Sequence, residues 1–173
     1  MPEQIWGWFT AAHVLDLLAG LFASAALVLF LLNGIRLSVI DLRTRLLPNA
    51  IMWPWFVSAV ALLGAAALCA REPVLILRSL SGAAVLFAGY LLVHYMVPGG
   101  MGMGDVKLAA VLGLYLGFVS WSHLLIGTVL TFVLGAGVSA VLLLSKRMNL
   151  RSSLAFGPFM LSGSAIAVAV SFG

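Results

Sequence analysis

Acids are the scarcest functional groups in this sequence: Glu3, Asp16, Asp41, Glu72 and Asp105 are the full set in 173 residues. Charged residues of both signs make up 8% of the chain and hydrophobic ones 64%, too little polar surface to keep a compact globule in water. A soluble enzyme or binding module is excluded on that ground. Cys69 stands alone, which rules out a disulfide framework and a CxxC metal site; it reads as a small core residue. His13, His94 and His123 show no zinc-ligand spacing, and no serine, histidine and acid cluster around a nucleophile turn. No metal or other cofactor is expected. Alternation of apolar and polar residues is missing too, which argues against an outer-membrane barrel. No basic residue lies between Met1 and Leu17, so the first apolar run lacks the positive region of a secretory signal and reads as a retained helix.

What is present is a series of long apolar runs. Six are marked: Leu17 to Gly34, Ile51 to Ala70, Leu80 to Val97, Leu108 to Val119, Leu124 to Ser145 and Leu154 to Phe172. A helix needs roughly 20 apolar residues to cross a bilayer, so the chain is expected to be an all-α polytopic membrane protein of about six spans. The fourth run is short. No repeat, linker or polar tail divides the chain, and residues 1–173 read as one transmembrane domain.

The net charge of +4 comes from basic residues at helix ends, not from an extended stripe, so nucleic acid is not an expected partner. Arg36, Arg43, Arg45, Lys107, Lys146, Arg147 and Arg151 fall in alternate connections (Ile35 to Ala50, Pro98 to Lys107, Lys146 to Ser153), whereas the opposite side holds Arg71 and Arg78. By the positive-inside rule the former connections face the cytoplasm and both termini lie outside. Lys146, Arg147 and Arg151 are expected to meet lipid headgroups. The stretch Arg71 to Arg78, with Glu72 and Pro73, reads as a turn with solvated charge. Trp6, Trp8, Trp53 and Trp55 suit interfacial belts, and Gly135, Gly137, Ser139 and Ala140 suit close helix packing.

Two of the five acids fall on the cytoplasmic side at helix ends. Asp41 follows the first span in a segment with Arg43, Arg45, Pro48 and Asn49, and Asp105 opens the fourth span after the glycine-rich turn Gly99 to Gly104. Each acid alone fits a structural role: Asp105 as a helix cap, Asp41 paired with Arg43 or Arg45. As a pair brought together by packing they have a chemistry. Two close carboxylates cannot both ionise comfortably, so one keeps a proton. The charged one takes a proton from water while the protonated one donates to a carbonyl. That is amide hydrolysis without metal or covalent intermediate. Gly102 and Gly104 are expected to adopt backbone angles closed to other residues and to clear the approach of an extended peptide to Asp105. Lys107, two residues on, sits off the Asp105 face and is expected to anchor the helix start. His94, near the cytoplasmic end of the third span, reads as a hydrogen-bonded interfacial residue. His13 and His123 lie on the opposite side.

These residues carry a resemblance. Gly102-Met103-Gly104-Asp105 with Lys107 resembles the second-aspartate GxGD motif of type IV prepilin peptidases, the GxGD aspartic membrane proteases; Asp41 with Pro48 and Asn49 resembles their first, and Phe156-Gly157-Pro158 a third block. The resemblance implies six helices, Asp41 and Asp105 as catalytic pair, and Gly102, Gly104, Lys107, Pro48, Asn49, Gly157 and Pro158 as binding or supporting residues. It implies cleavage, at the cytoplasmic face of the bacterial inner membrane, of prepilin-like substrates that have a basic leader and a hydrophobic helix. The size is similar to the short form associated with tight-adherence (Flp) pili. N-methylation is not expected, since the paired CxxC motifs of longer relatives are not in this sequence. The alternatives are a small proton-coupled transporter, or a non-catalytic assembly protein of a pilus or secretion machine.

Overall fold

A computed structural model describes residues 1–10, 13–97, 101–145 and 155–170, and the described residues form seven helices. They are α1 (Pro2–Thr10), α2 (Val14–Thr44), α3 (Asn49–Cys69), α4 (Val74–Met96), α5 (Met103–Val119), α6 (Trp121–Leu144) and α7 (Gly157–Ala169). Helices α2, α3, α4 and α6 are long and apolar enough to cross a membrane, and α5 and α7 are shorter. The chain is an all-α, multi-pass membrane protein. The six apolar runs correspond to α2 through α7; α1 is an addition. Lys146, Arg147, Arg151, Gly99 and Gly100 lie outside the described residues.

The helix ends differ from the apolar runs, for a physical reason. Hydropathy reports where a helix is dry, whereas helicity continues until a residue breaks it. Residues 35–44 contain neither Gly nor Pro, so α2 runs on through Arg36, Asp41 and Arg43 to Thr44. Its 31 residues span roughly 46 Å at 1.5 Å per residue, so the last turns extend past a hydrocarbon core about 30 Å thick. Asp41 therefore lies on a helix and not in a loop. Arg45 closes α2 in the left-handed conformation (φ 53°), its N–H bonded to the Asp41 carbonyl.

Helix α5 is the hub, packed against α3, α4, α6 and α7. From Val106 to Val119 every residue except Lys107 and Ala110 is buried, as expected of a helix that is apolar all round. Close approach to α4 depends on three glycines. A Cβ on Gly113 would sit 2.5 Å from the Gly82 carbonyl oxygen, and one on Gly117 would sit 2.6 Å from that of Arg78. Gly163 of α7 serves the α6–α7 contact in the same way, a Cβ there falling 2.6 Å from the Thr131 nitrogen, and Gly127 of α6 makes room for Leu116 of α5. Of the small residues singled out in the sequence, Gly135 does pack tightly, against the Phe156 ring, but Gly137 has nothing within 4 Å of a Cβ and Ala140 is exposed.

Two further expectations are corrected. Trp55 is not an interfacial anchor: it is 1% exposed, and its indole N–H donates to the Tyr115 hydroxyl at 3.0 Å. With Phe30 these rings join α2, α3 and α5. Trp53 stays 63% exposed, as a lipid-facing position should. Nor is Arg78 a solvated loop charge. It lies on α4, and its guanidinium donates to the carbonyls of Gly117 (2.8 Å), Phe118 (2.5 Å) and Val119 (2.8 Å), the last turn of α5. Those carbonyls have no partner within their own helix, and a cation also suits the negative end of its dipole. Arg78→Met is expected to destabilise the protein by on the order of 2 to 3 kcal/mol, since hydrogen bonds to a charged group are the strong ones. Thermal unfolding in detergent reads it, and an unchanged Tm refutes it.

Candidate active site

Three segments meet at the end of the bundle that carries Asp41 and Asp105. The end of α2 brings Asp41, 4% exposed, against the start of α7, where the Gly157 N–H donates to Asp41 Oδ2 at 3.0 Å. The first-turn amides of a helix lack intrahelical acceptors and carry partial positive charge, so α7 offers a fixed electropositive seat to this carboxylate. The seat requires glycine: a Cβ at position 157 would sit 2.7 Å from Oδ2. Pro158 follows in the first turn, where a missing N–H costs nothing. Phe156 fixes the entry to α7, its ring over Gly135 and beside Phe132 and Phe159 (centroids 5.7 and 6.5 Å).

Asp105 stands in the first turn of α5, and its Oδ2 accepts the Gly102 N–H at 3.3 Å. It thus caps its own helix, as expected of an acid placed there.

The segment after Asp41 is tied to the GxGD helix at two points. Gly104 packs on Leu47, where a Cβ would lie 2.9 Å from the Leu47 Cβ. The Lys107 ammonium donates to Asn49 Oδ1 at 2.9 Å. Asn49 is the first residue of α3 and Pro48 its N-cap. The glycines therefore work differently from the expectation. Gly102 takes an ordinary extended conformation (φ −76°, ψ 149°) and neither it nor Gly104 is left-handed. Gly104 is needed for contact between segments, whereas Gly102 contributes its backbone N–H to Asp105. His94 bonds the Met101 carbonyl through Nδ1 at 2.8 Å and so holds the turn ahead of the motif. His123 sits at the other end of the bundle, between Ser120 and the Val170 carbonyl.

Sequence reasoning named Gly157 as a supporting residue but not its contact with Asp41, because the third block is 116 positions from Asp41 and only folding joins them; it missed Tyr90. Tyr90 is buried in α4 and stacks on Phe132 of α6 (centroids 5.9 Å), the ring that also meets Phe156 at the entry to α7. Its neighbourhood was not legible in the sequence, because only packing sets α4 beside α6. Among the described residues no group of three His, Cys, Asp or Glu could hold a metal ion. What the site does contain is one carboxylate seated on the Gly157 amide of α7, a second that caps α5, and a backbone donor to each, the inventory of general acid and base chemistry.

Comparison with known proteins points the same way. A sequence model of the type IV leader peptidase family matches residues 25–144. The chain is 31% identical over 175 residues to a prepilin leader peptidase/N-methyltransferase of Burkholderia pseudomallei (strain 1026b), covering 88% of this chain and 52% of that protein. It is 35% identical over 138 residues to the protein of the same name from Pseudomonas putida, covering 78% and 46%. The chain spans about half the length of the curated relatives it matches. No solved structure matches it. With the family model covering most of the chain and both aspartates inside the matched stretch, this protein belongs to the type IV leader peptidase family.

Proposed function

We propose that this chain is an aspartic endopeptidase that removes the basic leader from prepilin-like substrates at the cytoplasmic face of the bacterial inner membrane. Asp41 and Asp105 form its acid–base pair. The observation that carries the reading is that these two acids, which come from different motifs, stand at the same end of the bundle, Asp41 on the Gly157 amide and Asp105 on that of Gly102, with their segments joined through the Leu47–Gly104 and Asn49–Lys107 contacts. Asp41, on the α7 amides, is the charged member and takes a proton from a water between the two. The resulting hydroxide attacks the scissile carbonyl carbon while Asp105 gives its proton to the carbonyl oxygen. Collapse of the tetrahedral intermediate then hands a proton to the leaving nitrogen and restores the pair.

The whole of residues 1–173 acts as one domain with six crossings, α2 to α7, and both termini outside. Arg36, Arg43, Arg45 and Lys107 lie towards the catalytic end, against Arg71 and Arg78 at the other, which supports a cytoplasmic site. The substrate's apolar helix packs against the spans while its extended junction crosses Gly102 to Asp105. Pro48, Asn49 and Lys107 hold the two aspartate segments together, Gly104 lets them touch, and Gly157 and Pro158 seat Asp41. The proposal covers peptide cleavage and not the methyl transfer that the relatives' names also carry. No observation favours a transporter or an inert assembly factor.

The test is cleavage of a synthetic pilin-like peptide, basic leader joined to an apolar helix, by the purified chain in proteoliposomes, with the new N-terminus sequenced. Absence of cleavage by a folded wild type overturns the proposal. The pH profile adds a signature. The pair needs one acid charged and the other protonated, so the rate rises and then falls as pH increases. A profile without an alkaline limb, over the range where the protein stays folded, counts against Asp105 as the acid.

A further inference from the structure

A groove of about 450 Å³ opens between α3, α4 and α5 on the side of α5 away from Asp105. Its walls include Met52, Trp53, Phe56, Phe87 and Ala110, and among the described residues its charged or amide side chains are Lys107 and Asn49, at one end. Trp53 and Phe87 at its margins are exposed on the outer surface of the helices, so the groove faces the lipid.

We propose that this groove binds one anionic phospholipid, an acyl chain lying between α3 and α4 and the phosphate on the Lys107 ammonium. Size, charge and position each point to that occupant. The volume is that of a small-ligand pocket, enough for a flexible hydrocarbon chain and too small to enclose a helix about 10 Å across. An ammonium has three donors, of which Lys107 gives one to Asn49. Asp105 lies two residues earlier and so on another face of α5, where it does not neutralise the groove. Asn49 is also the first residue of α3, whose dipole adds positive potential at the same end. A cation at the mouth of an otherwise hydrocarbon-lined groove matches a lipid headgroup above its tail, and basic pockets between membrane helices bind such headgroups. The inference does not depend on the peptidase reading.

The test titrates the purified full-length chain, in a non-ionic detergent, with phosphatidylglycerol or phosphatidylcholine of identical acyl chains and counts bound lipid by native mass spectrometry. One phosphatidylglycerol is expected to bind about five-fold more tightly than phosphatidylcholine, the advantage of one lysine at an anionic headgroup. Lys107→Gln removes that preference and Lys107→Arg keeps it. Ala110→Phe, which fills the groove, removes both lipids, and Ala84→Phe on the α4 wall gives the same readout if the first variant does not fold. Equal binding of the two lipids by the wild type, or unchanged phosphatidylglycerol binding in a folded groove-filling variant, overturns the proposal. So does release of the lipid by inorganic phosphate, which marks a soluble-anion site, or by a hydrophobic helical peptide, which marks a polypeptide site.

Discussion

Asp105→Asn and Asp41→Asn are each expected to lower the cleavage rate by about 10² to 10⁴, the usual worth of a positioned general acid or base. Neither change should unfold the protein. An asparagine side chain keeps an oxygen that accepts the Gly102 N–H at position 105 or the Gly157 N–H at position 41, so the backbone bonds at 3.3 and 3.0 Å survive. What is lost is proton chemistry: an amide can neither accept a proton from water at neutral pH nor donate one as an acid does. Because the two groups divide one task, the double variant should be no slower than the worse single one, the non-additivity of residues that act as a unit. Cleavage is followed by gel shift of the peptide, with Tm recorded alongside. If both folded single variants process substrate at the wild-type rate, the pair is not catalytic.

Gly157→Ala should be nearly as damaging, although the change adds a single methyl group. The new Cβ would lie 2.7 Å from Asp41 Oδ2 and 3.3 Å from its Cγ, inside contact distance of both. Two relaxations are open: the first turn of α7 backs away, or the carboxylate swings off the amide. Both break the 3.0 Å hydrogen bond that orients Asp41. Displacements of about 1 Å in a catalytic group cost on the order of 10² in rate. Overpacking at a buried site destabilises by about 1 to 3 kcal/mol, so a protein that remains folded at assay temperature is expected. The loss should appear in kcat with KM little changed, since Gly157 holds the acid and not the peptide. A variant with wild-type kcat would show that α7 is a bystander.

How much of this was legible beforehand differs by element. The membrane character, the helical class and the family were readable because they depend on composition and on short local patterns. The GxGD stretch and the aspartate followed by Pro48 and Asn49 are contiguous, and so are visible in one dimension. Other features were not. Hydropathy placed the end of α2 at Gly34 because it registers burial in lipid, whereas the helix persists to Thr44 for want of a breaker. Trp55 and Arg78 have the composition of interface residues, and only their neighbours, Tyr115 and the last carbonyls of α5, turn them into core contacts.

From the residues alone come a scarcity of charge that consigns the chain to a bilayer, two acids beside glycine and proline signals, and the order of the helices. Folding decided the rest. It chose Gly82, Gly113 and Gly117 as the points where α4 and α5 touch, seated Asp41 on the amide of Gly157, and linked Lys107 to Asn49. Each of these joins segments far apart in the chain, and steric fit and hydrogen-bond direction between such segments exist only once the helices have packed.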